Sequence, residues 1–188
     1  MAKQSKNIIM RSTRGMLGKQ IVFKERAGES YVSAAPGPRK NKPLTTEQEA
    51  VQEKFSRCVN YASTALKNAD TKKAYAAKAT RKQTAYNVAF SDAFFAPKVL
   101  GMITTGYTGE MGQQIIVQAQ DDFKVKAVKI TIHNAANELI ETGEAIENAD
   151  GLNWVYTATQ ANANLAGTKI AAIATDLPGN EGSMETVL

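Results

Sequence analysis

Side chains that bind metals or act as nucleophiles are scarce in this sequence: one histidine, His133, and one cysteine, Cys58, among 188 residues. A lone histidine leaves no pair for a zinc-type site. A lone cysteine excludes an internal disulfide and says nothing firm about compartment. Cys58 falls on an apolar helical stripe, where a small buried hydrophobe is its simplest role, and His133 ends a predicted strand. Long apolar runs are missing too. No segment approaches the roughly 18 residues of a membrane helix, so membrane insertion is not expected. Ile8-Ile9-Met10 is too short for a signal-peptide core, and synthesis in the cytoplasm follows as the expectation. Gly15-Met16-Leu17-Gly18-Lys19 lacks the spacing of a phosphate-binding loop and reads as turn glycines. With no catalytic constellation, the expected class is not an enzyme.

Acid is what the N-terminal end has least of. Residues 1–43 carry ten basic side chains against Glu25 and Glu29, a net +8. Residues 44–100 hold nine basic and five acidic groups, and residues 101–188 hold four against eleven. The overall +5 therefore conceals a basic front and an acidic back, which suggests two domains with different partners or attraction between the ends of neighbouring molecules. At 43% hydrophobic and 22% charged, the chain is expected to fold.

The chain reads as α+β, in two parts, residues 1–100 and 101–188. Lys19–Lys24 and Ser30–Ser33 are β-prone, with Arg26-Ala27-Gly28-Glu29 able to turn between them, so a β-hairpin arm is predicted. The segment Pro36 to Pro43 is too rich in proline and charge for helix or central strand. Thr45 or Thr46 with Gln48 or Glu49 forms a capping box. Val51, Phe55, Cys58, Ala62 and Ala65 then make one apolar stripe. Asp70 is expected to cap a second helix, which carries Tyr75, Ala79, Tyr86 and Phe90 and ends near Pro97. From Ile103 the period changes to two. Seven short strands are predicted near 102–107, 113–118, 126–132, 138–141, 154–159, 169–175 and 184–188, an antiparallel sandwich pattern.

Two stretches of this second part, Ala119-Gln120-Asp121-Asp122-Phe123-Lys124-Val125-Lys126-Ala127-Val128-Lys129-Ile130 and Ala174-Thr175-Asp176-Leu177-Pro178-Gly179-Asn180, resemble bacterial Ig-like domains. The first is similar to their strand–turn–strand signature, the second to their closing turn. The resemblance covers about residues 103–188 and implies an Ig-like β-sandwich. Such modules serve as spacers, adhesive units or decorations on surface, phage and injection-system proteins. The N-terminal part loosely resembles small prophage-type structural proteins that open on a G-x-x-G-K hairpin, here Gly15, Gly18 and Lys19.

Candidate sites follow from charge and apolar pattern. Arg11, Arg14, Lys19, Lys24, Arg26, Arg39, Lys40 and Lys42 are candidates for contact with nucleic-acid phosphates or an acidic partner. Ile21, Phe23, Tyr31, Phe55, Tyr86 and Phe90 are candidates for subunit contact. Glu138, Glu141, Glu144 and Glu147 recur every third residue and read as a solvated acidic strip. No cofactor is expected. Calcium is the one ion the loops could take, through Asp121, Asp122, Asp150, Asp176 and Asn180, although such residues also simply suit turns. The expected function is structural: a homo-oligomer or larger assembly, ring, filament or virion-like particle, built by the N-terminal half and decorated by the sandwich. The alternatives are a nucleic-acid-binding accessory protein using the basic arm and a carbohydrate- or surface-binding module. Trp154 and Tyr156 share one strand face, better suited to core than to a sugar platform.

Overall fold

Two tight turns shape the first sheet of the computed structural model, which describes residues 2–3, 13–37 and 43–188. Gly18 and Lys19 (φ 59° and 56°) join β2 (Gly15–Leu17) to β3 (Ile21–Arg26); Ala27 and Gly28 (φ 54° and 76°) join β3 to β4 (Glu29–Ala34). Positive φ at both central residues makes these type I′ turns, whose twist matches that of the strands they connect. The two-residue strand β1 (Ala2–Lys3) pairs with β4, giving the antiparallel order β1-β4-β3-β2. The predicted hairpin is thus present as β3–β4.

Thr45 and Gln48 cap α1 (Thr46–Ala65) reciprocally: Thr45 N donates to Gln48 Oε1 and Gln48 N to Thr45 Oγ1. The single second helix expected from the sequence is instead two, α2 (Ala69–Lys78) and α3 (Ala85–Phe94). Ala79 turns extended, and Thr84 opens the next helix by accepting from Asn87 N. Helix α2 is capped not by Asp70 but by Asn68, whose Oδ1 accepts from Asp70 N and Thr71 N.

The second sheet contains all seven predicted strands with altered ends: β5 (Lys98–Ile103), β6 (Gln114–Gln120), β7 (Val125–His133), β8 (Leu139–Glu147), β9 (Asn153–Thr157), β10 (Lys169–Asp176) and β11 (Glu181–Val187). Its order is β11-β10-β7-β8-β9-β6-β5, antiparallel throughout. Strand β8 pairs with β7 along most of its length and with β9 at Ile146 and Glu147, so it links the two halves of the sheet. Period-two burial follows: Ile115 and Val117, Val128, Ile130 and Ile132, Trp154 and Tyr156, and Ile170, Ala172 and Ala174 meet in one core. Each fully buried isoleucine contributes on the order of 2 kcal/mol. Ala62, Tyr75, Val88 and Ala89 centre a second core under the helices, against which Phe123 of the β6–β7 turn also packs.

The compact units divide the chain elsewhere than at residue 100. Residues 1–50 with 80–82 form one, residues 51–79 with 83–188 the other, so the helices share a unit with the seven-stranded sheet. Among the described residues no helix is long and apolar enough to cross a membrane.

Strands β5 and β11, at opposite ends of the sheet order, approach one another. At their closest, a Cβ on Gly182 would collide with the Pro97 carbonyl. Gly182→Ala should therefore destabilise the protein by about 2 kcal/mol, read as a lower urea midpoint. Gly101→Ala, whose Cβ would meet only Gln118 Oε1 at 3.7 Å, should stay within about 0.5 kcal/mol of wild type.

Candidate functional site

Strand register sorts the predicted contact residues onto opposite faces of the first sheet. Ile21 and Phe23 alternate with Val22 and Lys24, and lie across from Leu17, Ala34 and Val32. That face is apolar at these five positions and carries Glu25 and Ser30 at its far end. Tyr31 lies across from Lys24 and Arg26 across from Glu29, on the other face. No residue of β2, β3 or β4 is fully buried; Leu17 is 63% exposed and Ile21 38%. Absence of burial continues through Thr46–Arg57 of α1, including Val51 and Phe55, so the first buried side chain among the described residues is Cys58. Phe55 lies 4.8 Å from Phe90, centroid to centroid. Tyr86 and Phe90 are half-buried against the helical core of their own chain.

The basic arm is partly self-paired. Arg14 donates twice to Glu25, at 2.9 and 2.6 Å, and Lys82 Nζ stands 3.6 Å from Glu29 Oε2. Lys19, Lys24 and Arg26 are exposed, whereas Arg11, Arg39, Lys40 and Lys42 lie outside the described residues. By sequence, the N-terminal unit carries twelve basic against four acidic groups and the second unit eleven against fourteen.

The expected acidic strip is not uniformly solvated. In β8, Glu141 and Ala145 turn inward, and Glu141 is buried beside Tyr156. Its Oε2 accepts from Tyr156 Oη (3.0 Å), Thr159 N and Oγ1 (2.8 Å each) and Gln160 N. Gly143 makes room for that arrangement, since a Cβ there would lie 2.7 Å from the Tyr156 ring. Burial, and then the bond to Glu141, pushes the Tyr156 hydroxyl up to about 12. Glu138 instead accepts from Asn134 Nδ2, while Glu144 and Glu147 are exposed. Trp154 and Tyr156 are core residues, each 4% exposed.

The most unusual chemistry lies where α3, the β6–β7 turn and the β10–β11 turn meet. Asp92, Asp121 and Asp176 each bring a carboxylate oxygen within 4.8 Å of the others, with Asp92 and Asp176 fully buried. Their outer oxygens are held firmly. Asp92 Oδ2 accepts from Tyr75 Oη at 2.5 Å, and Tyr75 is bonded in turn to Tyr61. Asp121 Oδ2 accepts from Phe123 N and Lys124 N. Asp176 Oδ1 accepts from Gly179 N and Asn180 N, and Oδ2 from Asn180 Nδ2. Oδ1 of Asp92 and Oδ1 of Asp121 are buried with no donor. Burial, reinforced by the neighbouring Asp121 and Asp176 charges, pushes the Asp92 carboxyl up to about 7 against the pull of Tyr75; burial also raises Asp176. Chemically, such a cluster can hold a proton or a cation.

Of the loop residues predicted for calcium, Asp121 and Asp176 converge, with Asn180 bonded to Asp176. Asp150 does not: its oxygens are taken by Leu152 N, Asn153 N and Asn153 Nδ2 within its own turn. Asp122 is exposed. Asp92 was not singled out by sequence, although its spacing from Val88 and Ala89 places a charged residue on the buried helical face. Cys58 donates to the Ala93 carbonyl, and burial pushes its thiol up, which disfavours the reactive thiolate. His133 is half-buried at the end of β7.

No protein family's sequence profile matches the chain, and no curated protein matches it. Among solved structures, the crystal structure of an engineered protein matches 39% of this chain and 16% of its own, at 15% identity and a TM-score of 0.29. The chain thus spans about a sixth of that protein's length, and the likeness carries no argument.

The raised Asp92 value gives the protein a signed pH dependence in chelator. The unfolded chain loses this proton near 3.8 and the folded one near 7, so this group's contribution to stability is complete below the first value and is lost as pH rises through the second. Asp176 shifts in the same direction. Asp92→Asn should flatten this decline, measured as urea midpoints from pH 4 to pH 8 in EDTA.

Proposed function

We propose that this chain is a non-enzymatic structural subunit that self-assembles through its N-terminal segment into a ring, filament or particle. The observation that carries this reading is the structured chain of residues 13–37 and 43–57, in which no residue is fully buried. An isolated small sheet is marginal in water unless one face is covered, and here Leu17, Ile21, Phe23, Val32 and Ala34 share one face, with Leu17, Ile21 and Ala34 exposed and Phe23 and Val32 half-buried. A second copy is the occupant best suited to it. The N-terminal unit is net basic and the other net acidic, so unlike surfaces of neighbouring molecules attract, and such heterologous contacts propagate.

The seven-stranded unit is read as an Ig-like sandwich that decorates or bridges the assembly. Its pairing supports this: β5–β6–β9 on one side and β11–β10–β7–β8 on the other follow the pattern of strands A-B-E and G-F-C-C′. Its tryptophan sits on β9 rather than on the strand equivalent to C. A virion or tail-like particle is a fitting setting for such a subunit. The sugar-binding alternative is disfavoured by the burial of Trp154 and Tyr156. Nucleic-acid contact has one supporting feature, the face bearing Lys24, Arg26 and Tyr31, and Glu29, across from Arg26, offsets part of its charge.

Light scattering and negative-stain imaging of nucleic-acid-free protein test the assembly. Expected are particles far larger than the 20.3 kDa chain, weakened by salt and dispersed by Leu17→Lys with Ile21→Lys, at unchanged thermal stability of the second unit. A monomer at every salt and protein concentration would overturn the proposal.

A further inference from the structure

We propose that Asp92, Asp121 and Asp176 form a binding site for a calcium ion, which locks helix α3 to the two turns that flank the seven-stranded sheet. Two independent observations point to a ligand. The first is convergence of three carboxylates from three separate segments to within 4.8 Å. The second is an orphaned acceptor: Asp92 is fully buried, yet its Oδ1 has no donor, and Oδ1 of Asp121 is in the same condition. A buried carboxylate oxygen needs a hydrogen bond or a positive charge. Among the described residues, none of the three aspartates forms an ion pair with a lysine, arginine or histidine.

The rest of the arrangement suits a hard cation. Tyr75 occupies Oδ2 of Asp92 and the Phe123 and Lys124 amides Oδ2 of Asp121, which leaves Oδ1 of each open to a cation, while both oxygens of Asp176 also accept from the Gly179–Asn180 turn. Oxygens within 4.8 Å of one another fit inside the shell of a calcium ion, whose ligands stand at about 2.3–2.6 Å in an irregular geometry that tolerates all-protein carboxylates better than the strict octahedron of magnesium does. Asp121 also lines an open cleft of about 480 Å³ with Lys98, Gln120 and Asp122. Through Asp121 that cleft reaches one of the three ligands from solvent. The ammonium of Lys98 is the competing cation there. The same geometry without an ion would leave the aspartates sharing a proton, and the experiment separates the two.

Terbium replaces calcium and is excited through nearby tyrosines, here Tyr75 and Tyr61. On the full-length protein at pH 7.5, tyrosine-sensitised terbium emission should saturate and be displaced by calcium. Calcium at a hundredfold excess over its Kd should raise Tm above its value in EDTA by roughly 5 °C, with magnesium much less effective. Asp121→Asn keeps an oxygen for the Phe123 and Lys124 amides, so it folds; it should weaken calcium binding at least about tenfold. Asp150→Asn should change nothing. Identical Tm in EDTA and calcium with no terbium emission overturns the site, as does a calcium response that survives Asp121→Asn unchanged. Binding is expected equally in monomer and assembly, so the result stands apart from the proposed assembly.

Discussion

Asn180 donates its side-chain amide to the carbonyl oxygens of Asp92 and Ala93 and to the Asp176 carboxylate. Through that side chain the closing turn of the sheet is fastened to helix α3. Cys58 reaches the same Ala93 carbonyl from α1, and Tyr75 reaches Asp92 from α2. The helices of this unit thus share a polar anchor as well as an apolar core, and the anchor is made of groups that burial makes costly. A carboxylate in low dielectric is tolerated only when its oxygens are satisfied. The density of donors around Asp176, and their shortage at the inner oxygens of Asp92 and Asp121, make this junction the chemically expressive part of the molecule.

The N-terminal unit poses the opposite problem. Its turns are well specified, its strands pair in register and α1 has a reciprocal cap, so local structure is determined without help from packing. Burial is what it lacks. Secondary structure of this kind gains most of its stability from tertiary contact, which under the proposed assembly would come from a neighbouring copy.

Much of the fold was legible because it rests on periodicity and turn chemistry. Alternation along Val128, Ile130 and Ile132 located β7, and Thr45 with Gln48 located the start of α1. The break between α2 and α3 was missed because the apolar spacing from Tyr75 to Phe90 runs through Thr80–Thr84 without proline or glycine. Two of the three clustered aspartates were visible as turn residues, Asp121 and Asp176, whereas Asp150 looked the same and belongs to a self-contained turn. Glu141 was hidden by a three-residue recurrence that suggested a solvated strip, although strand alternation with Ala145 points it inward.

By itself the sequence determined most of the element types, their order, the cap of α1 and the partition of charge between basic front and acidic back. Those properties depend on neighbours along the chain, within one turn of helix or two residues of strand. Tertiary structure alone decided which acids lose water, which helices join the seven-stranded sheet, and that Asp92 meets Asp121 and Asp176. The reason is physical: desolvation and charge proximity are set by distances across space, and sequence spacing carries no record of them.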